Sequence, residues 1–381
     1  MPKKIIIYRR IDSSNTNLVE ERIQKELKNY TGEVVIDANE LEYISSAGLR
    51  IILKIKKEYP NTKIINCNQV VYDIFEMTGF TQMMDIEKAY EEISVDGCEI
   101  IGEGAYGIVY RIDQERIVKV YKNPNSIDDI IKERERAKKA FILGVPTAIS
   151  YDIVKVGNLY GSVFEMLDAK SFAELLREGK TIHKLVKKSV QMLKQIHEIE
   201  NINFDLPNKK EEAIEWAKDC KKYLPKEIGK KLLEMMEEIP ERNTIIHGDF
   251  HVKNIMHLAE EDLLIDMETV SVGHPIFELA CSYSIYEGFE CLDPKNPEKF
   301  LGIPKEQCRK FIKLTFDYYF DELEEEEIEE IKKKAKIICY TRLLRRQIKH
   351  FGIDNEEAKA SIDFCKNYLI ENVLKVDNLY F

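Results

Sequence analysis

Two polar residues near the middle of the sequence have the types and the spacing that phosphoryl transfer requires. The segment 247–254 reads HGDFHVKN, so Asp249 and Asn254 lie five residues apart, directly after an apolar run. Phosphoryl transfer needs a carboxylate that accepts the hydroxyl proton and orients the nucleophile, and Asp249 is suited to that role. Asn254 can offer its amide oxygen to Mg²⁺, and Asp266, which ends the apolar segment 263–265, is a second candidate Mg²⁺ ligand.

The histidines of this segment allow a competing interpretation. His247, Asp249 and His251 could ligate a metal ion, although the helix or strand spacing of classical zinc ligands is missing. We interpret His247 as a structural residue.

A glycine-rich segment is a candidate phosphate-binding loop. Residues 102–109 read GEGAYGIV, which places Gly102, Gly104 and Gly107 in the pattern G-x-G-x-x-G-x-V. Alone, the pattern also fits an ordinary hairpin turn. Because it lies between two predicted strands and not before a helix, it disfavours a dinucleotide fold and favours a loop whose N–H groups face a triphosphate.

Lys119 interrupts the otherwise apolar segment 117–120. A buried ammonium group needs a partner, and Glu133 and Glu135 on the following predicted helix are the candidates. Glu133 is favoured because it shares the inward stripe of Ile130 and Ala137. The alternative is that Lys119 lies at a sheet edge and extends its ammonium group to water.

The elements that carry these residues fall into two parts. Up to residue 93, predicted strands at 4–9, 33–37 and 63–67 alternate with predicted helices at 17–29, 47–59 and 70–80, which indicates a small α/β layer structure. The pattern changes near 93–97, where we place a domain boundary. Strands at 99–102, 108–112 and 116–121 then form an antiparallel meander, a helix begins near Ser126, and most of the chain after Ser171 is helical.

Composition limits the classes of function. The 381 residues suffice for two or three domains, and the net charge of −11 disfavours general nucleic-acid binding. The N-terminal apolar run is too short for a signal peptide or a spanning helix, so we expect a cytoplasmic protein without membrane contact. The eight cysteines form no Cys-x-x-Cys pair, so neither zinc nor disulfides are suggested.

Residues of about 98 to 381 resemble the protein-kinase-like superfamily, specifically the aminoglycoside/choline-type phosphotransferases. The resemblance is carried by the glycine loop, Lys119, and the segment 247–254, in which Gly248 follows His247 where protein kinases usually have Arg. Segments 145–147 and 273–275 also match. The resemblance implies a two-lobed α+β fold, with an antiparallel N-lobe sheet at about 98–168 and a mostly helical C-lobe at about 169–381.

The same resemblance implies ATP and Mg²⁺ as cofactors. The backbone of the hinge, at Glu165 and Leu167, would bind adenine. The apolar residues above and below the ring would be Val109, Ile117, Met256 and Ile265. The sequence departs from the family at His274 and Glu278, where Asp is common.

Residues of about 5 to 92, within a predicted domain at 1–93, resemble the STAS domain of anti-sigma factor antagonists. The similarity lies in the segments 10–15, RIDSSN, and 44–50, ISSAGLR. It implies phosphorylation of Ser46 and an anti-sigma-type protein partner, although Ser45 stands where the family has Asp. The alternative is that both serines only cap the following helix.

These features predict an ATP- and Mg²⁺-dependent phosphotransferase that acts on a hydroxyl or amine of a small molecule, with the STAS domain as a regulatory or docking module. A serine kinase acting on a STAS serine and a nucleotide-sensing interaction module are the alternatives. The acceptor would bind among the helices after Thr181, near Trp216 and Tyr223, which are equally plausible as core residues.

Overall fold

The computed structural model describes residues 2–104, 106–259 and 261–381, so Ala105 of the glycine-rich segment lies outside the described residues. The chain forms two compact units. The first unit comprises the chain up to Gly97 together with 120–122 and 153–161, and the second comprises 98–119, 123–152 and 162–381.

Secondary structure follows the predicted change of pattern near residue 97. The strands of the described residues are β1 (Lys3–Ile11), β2 (Val34–Ile44), β3 (Lys63–Cys67), β4 (Ile86–Lys88), β5 (Glu91–Glu92), β6 (Glu99–Glu103), β7 (Gly107–Arg111), β8 (Arg116–Tyr121), β9 (Asp152–Val156), β10 (Leu159–Glu165), β11 (Lys170–Ser171), β12 (Ile245–Ile246), β13 (Ile255–His257), β14 (Asp262–Leu264) and β15 (Ser271–Val272). The α-helices are α1 (Thr16–Leu27), α2 (Ser46–Glu58), α3 (Gln69–Met77), α4 (Ile127–Ile142), α5 (Phe172–Arg177), α6 (Ile182–Glu198), α7 (Lys209–Lys221), α8 (Lys226–Glu238), α9 (Ile276–Tyr286), α10 (Asn296–Leu301), α11 (Lys305–Tyr319), α12 (Glu325–Phe351) and α13 (Lys359–Asn372).

The first unit has the predicted α/β architecture. Its sheet has the order β1-β2-β3-β4 and is parallel throughout, because a helix separates each strand from the next. The prediction of a strand over 33–37 was too short, since β2 continues to Ile44. The continuation alternates imperfectly, with Leu41 and Ile44 buried between exposed polar residues, and its pairing with β1 contains two register shifts.

The strands of the range 98–168 only partly follow the predicted antiparallel arrangement. Strands β6 and β7 are antiparallel, with Gly102 opposite Val109. Strand β9, inside the range 98–168 that we predicted to form an antiparallel sheet, pairs in parallel with β5, so the sheet is mixed. The sequence could not indicate this pair, because β5 consists of two exposed glutamates without an apolar pattern.

Beyond Ser171 the described chain is mostly helical, as predicted, and packs around one large core. Trp216 on α7 is 3% exposed and belongs to that core, so it takes the core role and does not line an acceptor pocket. None of the helices described here is both long and apolar enough to traverse a bilayer.

Candidate active site

The loop that carries Asp249 begins at a fully buried strand. Strand β12 pairs with β15, and the chain then turns sharply at Gly248, whose φ is +81°. A Cβ at this glycine would lie 2.7 Å from the carbonyl oxygen of Thr269. Only glycine fits this conformation without displacing the neighbouring backbone.

Glu278 on α9 binds the backbone of the same loop. Its carboxylate is fully buried and accepts hydrogen bonds from the backbone N–H groups of His247, at 2.5 Å, and Gly248, at 3.0 Å. Burial raises the pKa of Glu278 to about 7, although the two backbone hydrogen bonds oppose this change. Glu278 stands where the family commonly has Asp, and this difference keeps a carboxylate that binds the loop.

His247 is a structural residue of the loop. Its Nε2 donates to the carbonyl oxygen of Ile265 at 3.1 Å, and its Nδ1 accepts from the N–H of Asp249 at 3.2 Å. Burial lowers the pKa of His247, which favours the neutral ring that this pattern requires. Because both ring nitrogens are occupied, the alternative of a metal site at His247, Asp249 and His251 loses one of its ligands.

The Asp249 carboxylate is positioned by two side chains. Its Oδ2 accepts a hydrogen bond from Nδ2 of Asn254 at 3.1 Å and lies 3.4 Å from Nε2 of His251. Burial acts to raise the pKa of Asp249, but the hydrogen bond from His251 and the electrostatic effects of His251, His247 and Arg342 outweigh it, so the pKa is lowered. The group is therefore an ionised proton acceptor at neutral pH.

Lys119 is the centre of a second group of charges. Its Nζ lies 3.1 Å from Oε1 of Glu133 and 3.3 Å from Oδ1 of Asp266. The structure thus pairs Lys119 with Glu133, which is buried, and not with Glu135, which is exposed. Residues 147 positions apart in the chain meet here, as the proposed nucleotide site requires.

The acidic residues around Lys119 include one that sequence reasoning missed. Carboxylate oxygens of Glu133, Asp266 and Glu268 all lie within 4.8 Å of one another. Burial raises the pKa of Glu268, and the neighbouring charges of Glu133 and Asp266 raise it further. In the sequence, the only signal for Glu268 was that it is a second acidic residue, two positions after Asp266. Such a set of oxygen donors fits a hard divalent cation.

A backbone contact joins the two groups. The N–H of Ile265, next to Asp266, donates to the carbonyl oxygen of Asn254 at 3.0 Å. Nδ2 of Asn254 donates to the carbonyl oxygen of Asp249 at 2.9 Å as well as to its carboxylate. The amide oxygen of Asn254 accepts no hydrogen bond among the described residues and remains available to a cation. The base candidate and the cation-ligand candidates therefore share one network.

The glycine-rich segment connects β6 and β7. The N–H of Gly104 donates to the carbonyl oxygen of Gly107 at 2.9 Å. Neither Gly102 nor Gly104 has a positive φ, and among the described residues a Cβ at either position would meet nothing closer than 3.8 Å. The described backbone therefore does not require glycine at these two positions, and a role of the loop in binding phosphate remains a prediction.

The residues expected around adenine are half-buried apolar side chains: Val109, Ile117, Met256 and Ile265. At the expected hinge, the N–H of Met166 donates to the carbonyl oxygen of Glu115 at 2.7 Å. Because this bond uses the N–H of Met166, it is consistent with the expectation that the backbone of the flanking residues Glu165 and Leu167 binds adenine. Their use as an adenine site remains a prediction.

In the first unit, the two serines of the segment 44–50 differ. Ser45 is the N-cap of α2, where its hydroxyl accepts from the N–H groups of Ala47 and Gly48. Ser46 is the first helical residue, and its side chain is exposed. Capping is thus the role of Ser45 alone, and phosphorylation of Ser46 remains a prediction.

Taken together, the base, the paired lysine and the acidic cluster define a site suited to phosphoryl transfer. Residues 97–293, more than half of the chain, match the model of the phosphotransferase enzyme family, and the chain belongs to that family. Residues 5–93 match the model of the STAS domain. Both family resemblances expected from the sequence are confirmed.

Individual proteins also show similarity to parts of the chain. A Bordetella bronchiseptica protein, BtrV, whose name describes it as a candidate anti-sigma factor antagonist, is 28% identical over 85 residues, which cover 21% of this chain and 73% of that protein. The ADP-bound aminoglycoside phosphotransferase APH(2'')-Ib is 15% identical with a TM-score of 0.47 and covers 81% of this chain and 99% of its own. The ternary complex of a thermostable mutant of APH(4)-Ia with AMP-PNP and hygromycin B is 12% identical with a TM-score of 0.49, covering 74% and 94%. Both TM-scores lie below 0.5, and the family assignment depends on the match to the family model.

Proposed function

We propose that this protein is an ATP- and Mg²⁺-dependent phosphotransferase that transfers the γ-phosphate to a hydroxyl of a small molecule. The observation that carries the proposal is a network that joins the two groups of polar residues. The Asn254 side chain donates to Asp249, and the Asn254 carbonyl oxygen accepts from the N–H of Ile265. Asp266, the next residue, contacts Lys119. The domain at 98–381 has two lobes in this proposal, at about 98–168 and 169–381, with the nucleotide at the glycine loop.

The chemical step assigns the proton to Asp249. The acceptor O–H bond breaks and its proton passes to the Asp249 carboxylate, while the acceptor oxygen forms a bond to the γ-phosphorus. The bond from that phosphorus to the bridging oxygen of ADP breaks, and ADP leaves with the electron pair. Lys119, fixed by Glu133, binds the phosphates, and the N–H groups of the glycine loop orient them.

The carboxylate oxygens of Asp266 and Glu268 lie within 4.8 Å of each other and fit a Mg²⁺ ion, and the amide oxygen of Asn254 is the third donor in this proposal. When bound, Mg²⁺ neutralises charge on the phosphate oxygens. Nζ of Lys119 lies 3.3 Å from Oδ1 of Asp266, so the lysine and the cation would bind neighbouring phosphate groups at one place in the fold.

The first unit is proposed to act as a cytoplasmic docking or regulatory module for an anti-sigma-type protein. Its resemblance to the STAS domain supports this proposal. Neither nucleic acid nor membrane is among the proposed partners, in keeping with the net charge of −11.

A test measures ADP release from MgATP in the presence of sugars, polyols, amines and aminoglycosides. Asp249→Asn should lower the turnover of the preferred acceptor by about 10²–10⁴-fold while nucleotide binding persists. Asp317→Asn, on the surface of α11, is the matched control and should retain turnover. Full activity of Asp249→Asn would exclude this mechanism.

A second candidate acceptor is Ser46 itself, and the exposure of its hydroxyl favours it. Incubation of the full chain with MgATP should then add one phosphate that Ser46→Ala removes, as read by mass spectrometry. An unmodified Ser46 under conditions of active turnover would exclude self-phosphorylation and leave the small-molecule acceptor.

A further inference from the structure

Arg342 on α12 is a half-buried cation whose partners are not carboxylates. Its Nη1 donates to Sγ of Cys281 on α9 at 3.1 Å, and its guanidinium carbon lies 5.7 Å from the centre of the Trp216 ring. Within the described part of the chain, no carboxylate oxygen lies within 4.0 Å of its nitrogens. A guanidinium has five N–H donors, so a thiol and an aromatic ring leave most of its hydrogen-bonding capacity unused.

The neighbouring face of the same helix shows the opposite arrangement. Arg345 and Lys349 both pair with Asp219, at 2.7 and 3.1 Å. A chain with 68 acidic residues can therefore supply partners to the basic residues of α12, and does so at Arg345, three residues after Arg342. The absence of a carboxylate at Arg342 points to a different partner.

Arg342 contacts the element that supports the base. Cys281, its hydrogen-bond acceptor, is followed by Ser282, whose Oγ donates to the carbonyl oxygen of Phe250 at 3.2 Å. Phe250 is the residue after Asp249. The positive charge of Arg342 also contributes to the lowered pKa of the Asp249 carboxyl. The guanidinium and the loop that carries Asp249 thus both contact α9.

The same helix carries two further basic residues. Arg346 and His350 follow Arg342 at intervals of four residues, which places them on one face of the helix. Both line a cavity of about 370 Å³, together with Gln347, Glu357 and Ser361. Neither forms an ion pair among the residues described, and Arg346 lies over the ring of Phe289.

We propose that the acceptor is an anionic hydroxyl compound, and that Arg342 binds its carboxylate or phosphate group while the hydroxyl lies at Asp249. This inference rests on the proposed phosphotransferase function and narrows its substrate class. A planar guanidinium matches both anions in bidentate geometry, and binding would supply the charged partner that the protein itself does not provide. A cationic acceptor would instead be repelled.

The test compares matched acceptors in the ADP-release assay with the full chain and MgATP. The pairs are glycerate with glycerol, gluconate with glucose, and glucose 6-phosphate with glucose, and kanamycin is the cationic probe. We expect kcat/KM to be at least about tenfold higher for an anionic member than for its neutral partner. The carboxylate and phosphate arms distinguish the two sources of the anion.

Variants of α12 then assign the preference to one side chain. Arg342→Met keeps an unbranched stem against Trp216 and should raise the KM of the anionic acceptor by about 10- to 100-fold, with a smaller change in kcat. Arg345→Met is the matched control and should leave that KM unchanged. Arg342→Lys keeps the charge without the bidentate geometry and should give an intermediate KM. If Arg342→Met does not fold, the KM of Arg342→Lys tests the inference in its place.

Two outcomes would overturn the inference while leaving the proposed function in place. The first is turnover of neutral or cationic acceptors in preference to their anionic counterparts. The second is an equal effect of Arg342→Met and Arg345→Met on acceptor KM. If MgATP is neither bound nor consumed with any acceptor, the proposed function itself fails, and calorimetric titration with MgATP identifies that case.

Discussion

The buried carboxyl group of Glu278 gives the stability of the second unit a defined dependence on pH. Its pKa of about 7 in the folded protein compares with an ordinary value of 4.5. Below pH 4.5 the group is protonated in both the folded and the unfolded chain. Between pH 4.5 and 7 the unfolded chain loses this proton first, so stability falls as the pH rises, and the loss is complete above pH 7.

The magnitude follows from these two values. At about 1.4 kcal/mol per pH unit, the full loss is about 3 kcal/mol, of which about 2 to 3 kcal/mol falls between pH 5 and 8. Glutamine at position 278 does not titrate. The difference in unfolding free energy between wild type and Glu278→Gln should therefore shift by this amount over that range, with the wild type losing stability relative to the variant as the pH rises.

Urea unfolding at pH 5, 6, 7 and 8 measures this difference. Glu278→Gln should also have a constant offset, because an amide offers one acceptor oxygen to the two N–H groups of His247 and Gly248. The control is Glu306→Gln on the exposed surface of α11, whose difference from wild type should be flat. A difference for Glu278→Gln that stays constant within about 0.5 kcal/mol across the range would refute the reasoning.

Two further predictions concern local backbone geometry. Ser45→Ala removes the N-cap of α2 and should lower the unfolding free energy of the first unit by about 1 kcal/mol, whereas Ser46→Ala should change it by less than about 0.5 kcal/mol; equal effects in thermal unfolding would contradict the capping role. Gly248→Ala adds a Cβ 2.7 Å from the Thr269 carbonyl oxygen at a positive φ and should cost about 2 to 5 kcal/mol in urea unfolding. Gly179→Ala has a similar φ of +84° but open space around its Cβ, so it should cost only about 1 to 2 kcal/mol, and an equal cost at both glycines would show that the contact with Thr269 is unimportant.

The sequence predicted those features that depend on short-range pattern or on a charge that needs a partner. Apolar periodicity placed three strands and three helices of the first unit to within a few residues, except for the second half of β2, and it did not indicate the short strands β4 and β5. The choice of Glu133 over Glu135 followed from the helical stripe, since only one of two residues two positions apart can face the sheet. The order of the motifs was enough to indicate both families.

Features that depend on long-range packing were not predictable in this way. The parallel pairing of β5 with β9 has no apolar signal. The start of α4 near Ser126 is confirmed, although the Ser126 side chain makes no capping hydrogen bond. The roles of Glu268 and Glu278 depend on neighbours that the fold brings together from far along the chain. Arg342 had no signal at all, because its surroundings on α7 and α9 exist only in the folded protein.

Calorimetric titration of MgATP into the full chain tests the central claim most directly. The account predicts saturable heat with a dissociation constant between about 1 μM and 1 mM. Lys119→Met should weaken binding by about 10- to 100-fold, while Lys170→Met, which removes an exposed lysine paired with Glu178, should leave it unchanged. An absence of heat with the wild-type chain, or an unaltered affinity in Lys119→Met, would contradict the account.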